Sequence, residues 1–190
     1  MATKTEIITL PHKNLRKTSI PVSKIDEEAL CLCERMKKAT LDWESERDHE
    51  VGVALAAIQI NELKRVIILR DDIEDKNNTS FTCYFNPEIV SADGELVTDY
   101  EGCLSVKDIY GLVPRYESVT VKALNEKGKK ITFTSHGFSA RVLQHEIDHT
   151  NGILFIDHIK EESGSFFKLN YDGQLEPIPY EKISSSSILW

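Results

Sequence analysis

The densest chemistry in the chain lies at residues 144–149, Gln-His-Glu-Ile-Asp-His. Positions four apart share a helix face, so His145 and His149 can present two imidazoles to one point, with Glu146 beside the first. Two neutral imidazoles and a neighbouring carboxylate are what binds a divalent metal and moves a proton on its water. His-Glu-x-x-His also arises by chance on solvated helices, so the rest of the chain has to supply a third ligand. Candidates are Cys103, His136, His158, Asp148 or a distant acid. Asp148 points off the ligand face and suits a role supporting a ligand. Nothing in the sequence marks His136, which precedes the helix. Cys103 stands beside Gly102 in a stretch neither periodic nor apolar, where a turn can aim a thiolate inward. A thiolate with two imidazoles suits Zn²⁺ or Fe²⁺ and disfavours Mg²⁺ or Ca²⁺.

These residues need elements to position them. Residues 140–143 (Ala-Arg-Val-Leu) favour helix, and Gly152 lies where that helix can stop. An earlier helix is expected from a cap at Ser23 or Asp26 to about residue 46. Its apolar stripe is read as Leu30, Cys33, Met36, the Lys37 stem, Thr40 and Leu41. Residues 6–10 suit a short extended segment, and 64–69 and 81–90 suit strands, with Pro87 at an edge or bulge. A turn over 92–95 leads to a short strand, 96–98, before Cys103. Residues 118–124 and 130–134 alternate apolar with polar about an Asn-Glu-Lys-Gly turn, a hairpin signal. Residues 44–50 and 71–79 read as charged loops. The fold class that follows is α+β: mainly antiparallel, partly mixed sheets around a central metal-binding helix, with a second helix near the N-terminus. Residues 1–160 are expected to form the catalytic domain. Residues 161–190, rich in Ser, Pro and Gly, would form a C-terminal tail packed on it or extending from it.

Composition excludes several classes. With 190 residues, 41% of them hydrophobic, the chain can bury one sizeable core. A net charge of −8 argues against direct nucleic-acid binding. No apolar run approaches the roughly 20 residues of a membrane span. The first residues lack a signal-peptide layout, so a cytoplasmic protein is expected. Cys31, Cys33 and Cys83 show no disulfide or Cys-x-x-Cys spacing and read as core or unremarkable thiols.

Three ordered motifs, residues 52–59 (Gly-Val-Ala-Leu-Ala-Ala-Ile-Gln), 101–105 (Glu-Gly-Cys-Leu-Ser) and 144–149, resemble the signature motifs of peptide deformylases. The likeness spans about residues 6–160. It implies a hydrolase that removes the N-formyl group from the N-terminal methionine of nascent chains and releases formate. By the same resemblance Cys103, His145 and His149 hold one divalent ion, natively Fe²⁺, with Zn²⁺, Ni²⁺ or Co²⁺ as substitutes. Glu146 would be the general base and acid for water attacking the formyl carbon. Gln59 and the Leu104 N–H would hold the formyl oxygen. Val53, Phe138 and Val142 are candidates for the methionine pocket, while residues 52–54 (Gly52, Val53, Ala54) and Gly102 would pair with an extended peptide. Arg115 is expected to pair with Asp148 and so orient the helix. Partners are then N-formylmethionyl peptides near the ribosome, with the enzyme a monomer.

The chain departs from the family pattern where Ala54 replaces Gly, Ile58 replaces Pro and Tyr110 stands at a common Arg. Ala54 would be strained at positive φ, Ile58 could loosen the turn presenting Gln59, and Tyr110 puts a contact to the outer substrate backbone in question. The tail mixes charges and lacks the basic helix with which some members dock on ribosomes. Two other readings remain: a metallopeptidase cleaving ordinary peptide bonds, and a formyl-peptide-binding homologue with weakened turnover.

Overall fold

The structure, a computed structural model, describes residues 6–45, 47, 49–73, 75 and 77–190. Residues 1–5, 46, 48, 74 and 76 lie outside it, so the reading of the first residues is untouched and the loops expected over 44–50 and 71–79 are described in part.

Helix α1 (Glu27–Glu44) starts where Asp26 Oδ1 accepts the Ala29 N–H at 3.2 Å, satisfying one of the amides a helix start leaves free. Its buried face is Ala29, Leu32, Cys33, Met36, Ala39 and Thr40. Leu30, expected on that face, is 39% exposed. Alanine at 29 and 39 turns the apolar stripe away from Leu30, because small residues also count as core where packing is tight.

The sheet is antiparallel in all its strand pairs among the described residues. Its path runs β1 (Ala54–Ala56), β2 (Val66–Arg70), β3 (Phe81–Cys103), β4 (Val106–Leu124), then β6 (Phe166–Leu169) and β7 (Leu175–Pro177), with β5 (Lys130–His136) also on β4. The separate strands expected at 81–90 and 96–98 are one long strand. Its breakers are absorbed as irregularities: the register shifts between Phe85 and Glu88, where Asn86 takes φ 51°, and between Asp93 and Leu96, where Gly94 takes φ +87°. A turn-type sequence became a bulge because continued pairing with β4 outweighs the local preference. The 118–136 hairpin forms as read, from Ser118↔His136 to Leu124↔Lys130.

Strand alternation sends Val66 and Ile68 of β2 to a core with α1, and Ile67 to a second core with helix α2 (Gly137–Thr150). The sheet is therefore covered on two faces. Ile58 is fully buried in the α2 core, so the residue at the proline position anchors its 3-10 turn (Ala57–Ile60) by packing. A third core joins Val106, Val113, Phe155 and Ile159 to Phe166, Ile183 and Leu189 of the C-terminal segment. That segment thus contributes β6, β7 and a short helix, α3 (Tyr180–Ser184), although no periodic run marked them. Glu6–Leu10 forms no strand; the Ile8 N–H bonds the Gln59 carbonyl (2.8 Å) and the Leu10 N–H that of Ser105 (2.9 Å). The N-terminal segment thereby straps together two pieces of the site. No helix among the described residues is long and apolar enough to cross a membrane.

Candidate active site

Cys103 ends β3, and the tight turn Leu104–Ser105 returns the chain as β4. His145 and His149 project from α2, which stops at Thr150 with Gly152 at φ +75°. Gly152 allows no side chain, since a Cβ would meet the Arg16 backbone at 2.7 Å. The candidate ligand atoms of Cys103, His145 and His149 all lie within 4.8 Å of one another. Cys103 Sγ stands 3.2 Å from His149 Nε2, and the two rings are edge to face at 4.9 Å. The Ser105 N–H (3.4 Å) and the Gln59 side-chain amide (3.5 Å) both donate toward Sγ. His136 is exposed at the start of α2, and His158 pairs with Asp148, so neither joins the group.

His145 Nδ1 is engaged by Glu101 Oε2 at 2.9 Å, which leaves Nε2 as its candidate ligand atom. Glu101 is the residue that sequence reasoning missed. It is buried and also accepts from Arg115 Nε (2.9 Å), Arg115 Nη2 (3.1 Å) and Arg141 Nη1 (2.8 Å). Burial alone would raise its carboxyl. The bonds from His145 and Arg115 outweigh burial and hold it well below the usual carboxylate range. His145 is desolvated too, yet Cys103 and Glu101 pull its pKa well above the ordinary value; His149, buried beside His145, is driven well below it. The converging thiol of Cys103 and ring nitrogens of His145 and His149, all within 4.8 Å of one another, fit a divalent ion of the Zn²⁺ or Fe²⁺ kind.

Arg115 reaches Asp148 Oδ2 at 2.6 Å through Nη1, and the same oxygen meets His158 Nε2 at 2.7 Å. Burial would raise the Asp148 pKa; these two partners lower it below the usual value. Arg141 adds bonds to the carbonyls of Val113 (2.7 Å) and Val97 (2.6 Å), clamping α2 to the β3–β4 hairpin. Its position in the second turn of α2 gave no sign of this, because all its partners are remote in sequence.

Glu146 is buried, and its Oε2 has no partner. Burial pushes its carboxyl up to about 7, with His145 opposing and Glu101 adding to the rise. Gln59 is held by the Ala56 N–H, which donates to Oε1 at 2.8 Å, and this turns Nε2 toward Ser105 Oγ (3.2 Å) and Cys103.

A cleft of about 240 Å³ opens over these groups, lined by Val53, Ala54, Gln59, Gly102, Cys103, Leu104, Tyr110, Phe138, Val142, His145 and Glu146. Ala54 has no positive φ, so its methyl brings no backbone strain. Gly52 lies behind the lining: its N–H donates to Glu44 Oε2 at 3.1 Å and its carbonyl accepts from Arg70. Its main chain is therefore already committed, and the cleft edge passes to Val53 and Ala54. Tyr110 donates its hydroxyl to Glu50 Oε1 at 2.7 Å, and a Cβ at Gly102 would meet the Tyr110 ring at 2.5 Å. Gly102 is thus required by that aromatic contact.

Chemistry of this kind belongs to hydrolases that work through a divalent cation. The sequence model of the family "Polypeptide deformylase" matches residues 4–164, and the chain belongs to that family. A peptide deformylase of Thermomicrobium roseum is 42% identical over 166 residues, covering 86% of this chain and 89% of that protein. The crystal structure of a peptide deformylase from Legionella pneumophila superposes with a TM-score of 0.71 at 40% identity, covering 83% of this chain and 86% of the other. A Met-Ala-Ser-bound class I type b peptide deformylase from Acinetobacter baumannii gives 0.70 at 34% identity, covering 80% and 96%.

Proposed function

We propose that this enzyme removes the formyl group from N-formylmethionyl peptides through the groups around Cys103, His145 and His149. The observation that carries the assignment is the convergence of those three ligand atoms beside a buried carboxylate, Glu146. One divalent ion, natively Fe²⁺, would be held by Cys103 Sγ, His149 Nε2 and the His145 nitrogen turned away from Glu101. When bound it supplies Lewis acidity, easing deprotonation of water and polarising the formyl carbonyl.

The chain's own residues do the rest. Glu146 accepts a proton from the attacking water and passes it to the departing methionine nitrogen. A carboxyl held near 7 can do both, and a cation beside it lowers that value toward the ionised form. Gln59 Nε2 and the Leu104 N–H hold the formyl oxygen as charge develops there; a donor of this kind is worth about 3–4 kcal/mol. Glu101 keeps His145 in one tautomer, and Asp148 and Arg115 hold the helix that carries both imidazoles. Val53, Val142 and Phe138 line the part of the cleft suited to a methionine side chain. The peptide beyond lies extended along Ala54 and Gly102, pairing with β1, which among the described residues ends the sheet with β2 as its neighbour. The bound Met-Ala-Ser of the Acinetobacter baumannii relative supports a short peptide as occupant. Nascent chains, encountered in the cytoplasm near the ribosome, are the substrates, and the enzyme acts as a monomer formed by a catalytic domain, 1–160, and the segment 161–190.

Formate release from formyl-Met-Ala-Ser by freshly Fe²⁺- or Ni²⁺-loaded protein tests this reading. Formate with intact Met-Ala-Ser is the expected outcome. Internal peptide cleavage without formate would assign a metallopeptidase, and stoichiometric binding without turnover a weakened homologue.

A further inference from the structure

Among the described residues, the charged side chain with the least exposure lies outside the cleft. Arg70, at the end of β2, has a fully buried side chain, and its guanidinium pairs with Glu44 at the end of α1. Arg70 Nε and Nη2 both donate to the Gly52 carbonyl (3.1 and 3.0 Å), and Nη1 donates to the Asn78 carbonyl (2.5 Å). Glu44 Oε2 accepts the Gly52 N–H at 3.1 Å. The Arg70 backbone N–H takes the Val53 carbonyl at 2.8 Å. One ion pair therefore holds both polar groups of Gly52, while Thr40 closes the space behind it: a Cβ at Gly52 would meet Thr40 Cγ2 at 2.5 Å.

This arrangement is a poor device for stability alone. Burying an ion pair rarely gains more than an apolar pair of the same volume. Glu44 also sits at the negative end of the α1 dipole, with no basic residue in the last turn to offset it. What the pair achieves is to fix the plane of residue 52, immediately before Val53 and Ala54, which line the cleft.

We infer that Arg70 and Glu44 are positioning residues for the peptide-binding edge of the cleft, holding Gly52 so that the Ala54 main chain meets the substrate backbone beyond the formylmethionine. The inference rests on the deformylase reading and deepens it. Neither side chain lines the cleft or approaches Cys103, His145 or His149, so the reacting centre is left intact when the pair is broken.

The test compares metal-loaded wild type, Arg70→Met, Arg70→Lys and Glu44→Gln on two substrates, formyl-Met-Ala-Ser and formyl-methionine amide, which lacks the downstream backbone. For Arg70→Met, KM for formyl-Met-Ala-Ser should rise about tenfold, the effect of losing charge-assisted bonds to the edge. Its kcat should stay within about twofold, and KM for the amide, which feels the change only through Val53 in the methionine pocket, should rise by less than about twofold, because what is lost is chiefly uniform binding of the distal backbone. Arg70→Lys, which keeps the charge but gathers its donors on one nitrogen and loses the planar fork, should restore part of the KM, and Glu44→Gln should fall between it and wild type. Equal changes on both substrates, or a folded Arg70→Met with wild-type constants, would overturn the inference. Should Arg70→Met fail to fold, the length dependence is read from Arg70→Lys and Glu44→Gln by the same criterion. A wild type that releases no formate from either substrate refutes the deformylase reading instead, so the two failures are distinct.

Discussion

Replacing Glu101 with Gln probes the support of the ligand set without touching a ligand. One carboxylate, with its side chain 4% exposed, neutralises Arg115 and Arg141 and orients His145. Its two oxygens accept four hydrogen bonds between 2.8 and 3.1 Å. An amide offers one acceptor oxygen, and its NH₂ would face donors, so at least one guanidinium or imidazole N–H loses its partner. Asp148 still meets Arg115 at 2.6 Å, which leaves Arg141 with the uncompensated charge. Breaking a buried pair from one side costs about 3–5 kcal/mol. Denaturant unfolding of metal-free protein at pH 7 should show that loss. Because the folded-state pKa of Glu101 is depressed, its contribution is complete above the unfolded carboxylate value of about 4 and disappears as pH falls below it. The gap between wild type and variant should therefore close in acid. With His145 no longer fixed through Nδ1, competition against a chromogenic chelator should report metal affinity lower by about 10- to 100-fold. A stability loss below about 1 kcal/mol at pH 7, together with unchanged metal affinity, would refute the reasoning.

Other outcomes follow from the same geometry. Glu146→Ala should bind one metal per chain as wild type does while kcat falls about 10²- to 10⁴-fold, measured by metal analysis and formate assay on one sample. Gln59→Ala should lower kcat by about 10²–10³ with little change in metal content, since its amide acts on the developing oxyanion. Burial and the bond to Glu50 hold the Tyr110 hydroxyl above its usual pKa, so its stabilising contribution is full below about pH 10 and is lost above it; the stability gap between wild type and Tyr110→Phe should narrow as pH rises through that range. Phe166→Ala should cost about 3–5 kcal/mol in denaturant unfolding, because Phe166 is 1% exposed in the third core.

How much of this was legible in the sequence follows from where each partner lies along the chain. The two imidazoles and Glu146 are adjacent in one helix, so spacing alone brought them together. Cys103 was marked by its Gly-flanked turn and by the ordered motifs, and the hairpin at 118–136 by alternation around Asn-Glu-Lys-Gly. The length of β3 was hidden because Pro87 and Gly94 carry turn propensity that pairing with β4 overrides. Glu101 was invisible as a hub because its partners come from β4 and α2, and only folding puts two guanidiniums and an imidazole on one carboxylate. The commitment of Gly52 was hidden for the same reason: Glu44 and Arg70 reach it from elements 8 and 18 residues away. The 161–190 segment lacks periodicity since its strands run from three to four residues, too short to show any.

Anaerobic titration of metal-free protein with Fe²⁺, followed by formate release from formyl-Met-Ala-Ser at each addition, bears most directly on the convergence of Cys103, His145 and His149. Activity should rise linearly and break at one ion per chain, and the Cys103→Ala protein should show neither the break nor appreciable formate. Turnover independent of added metal, or a Cys103→Ala titration that overlays the wild type, would contradict it.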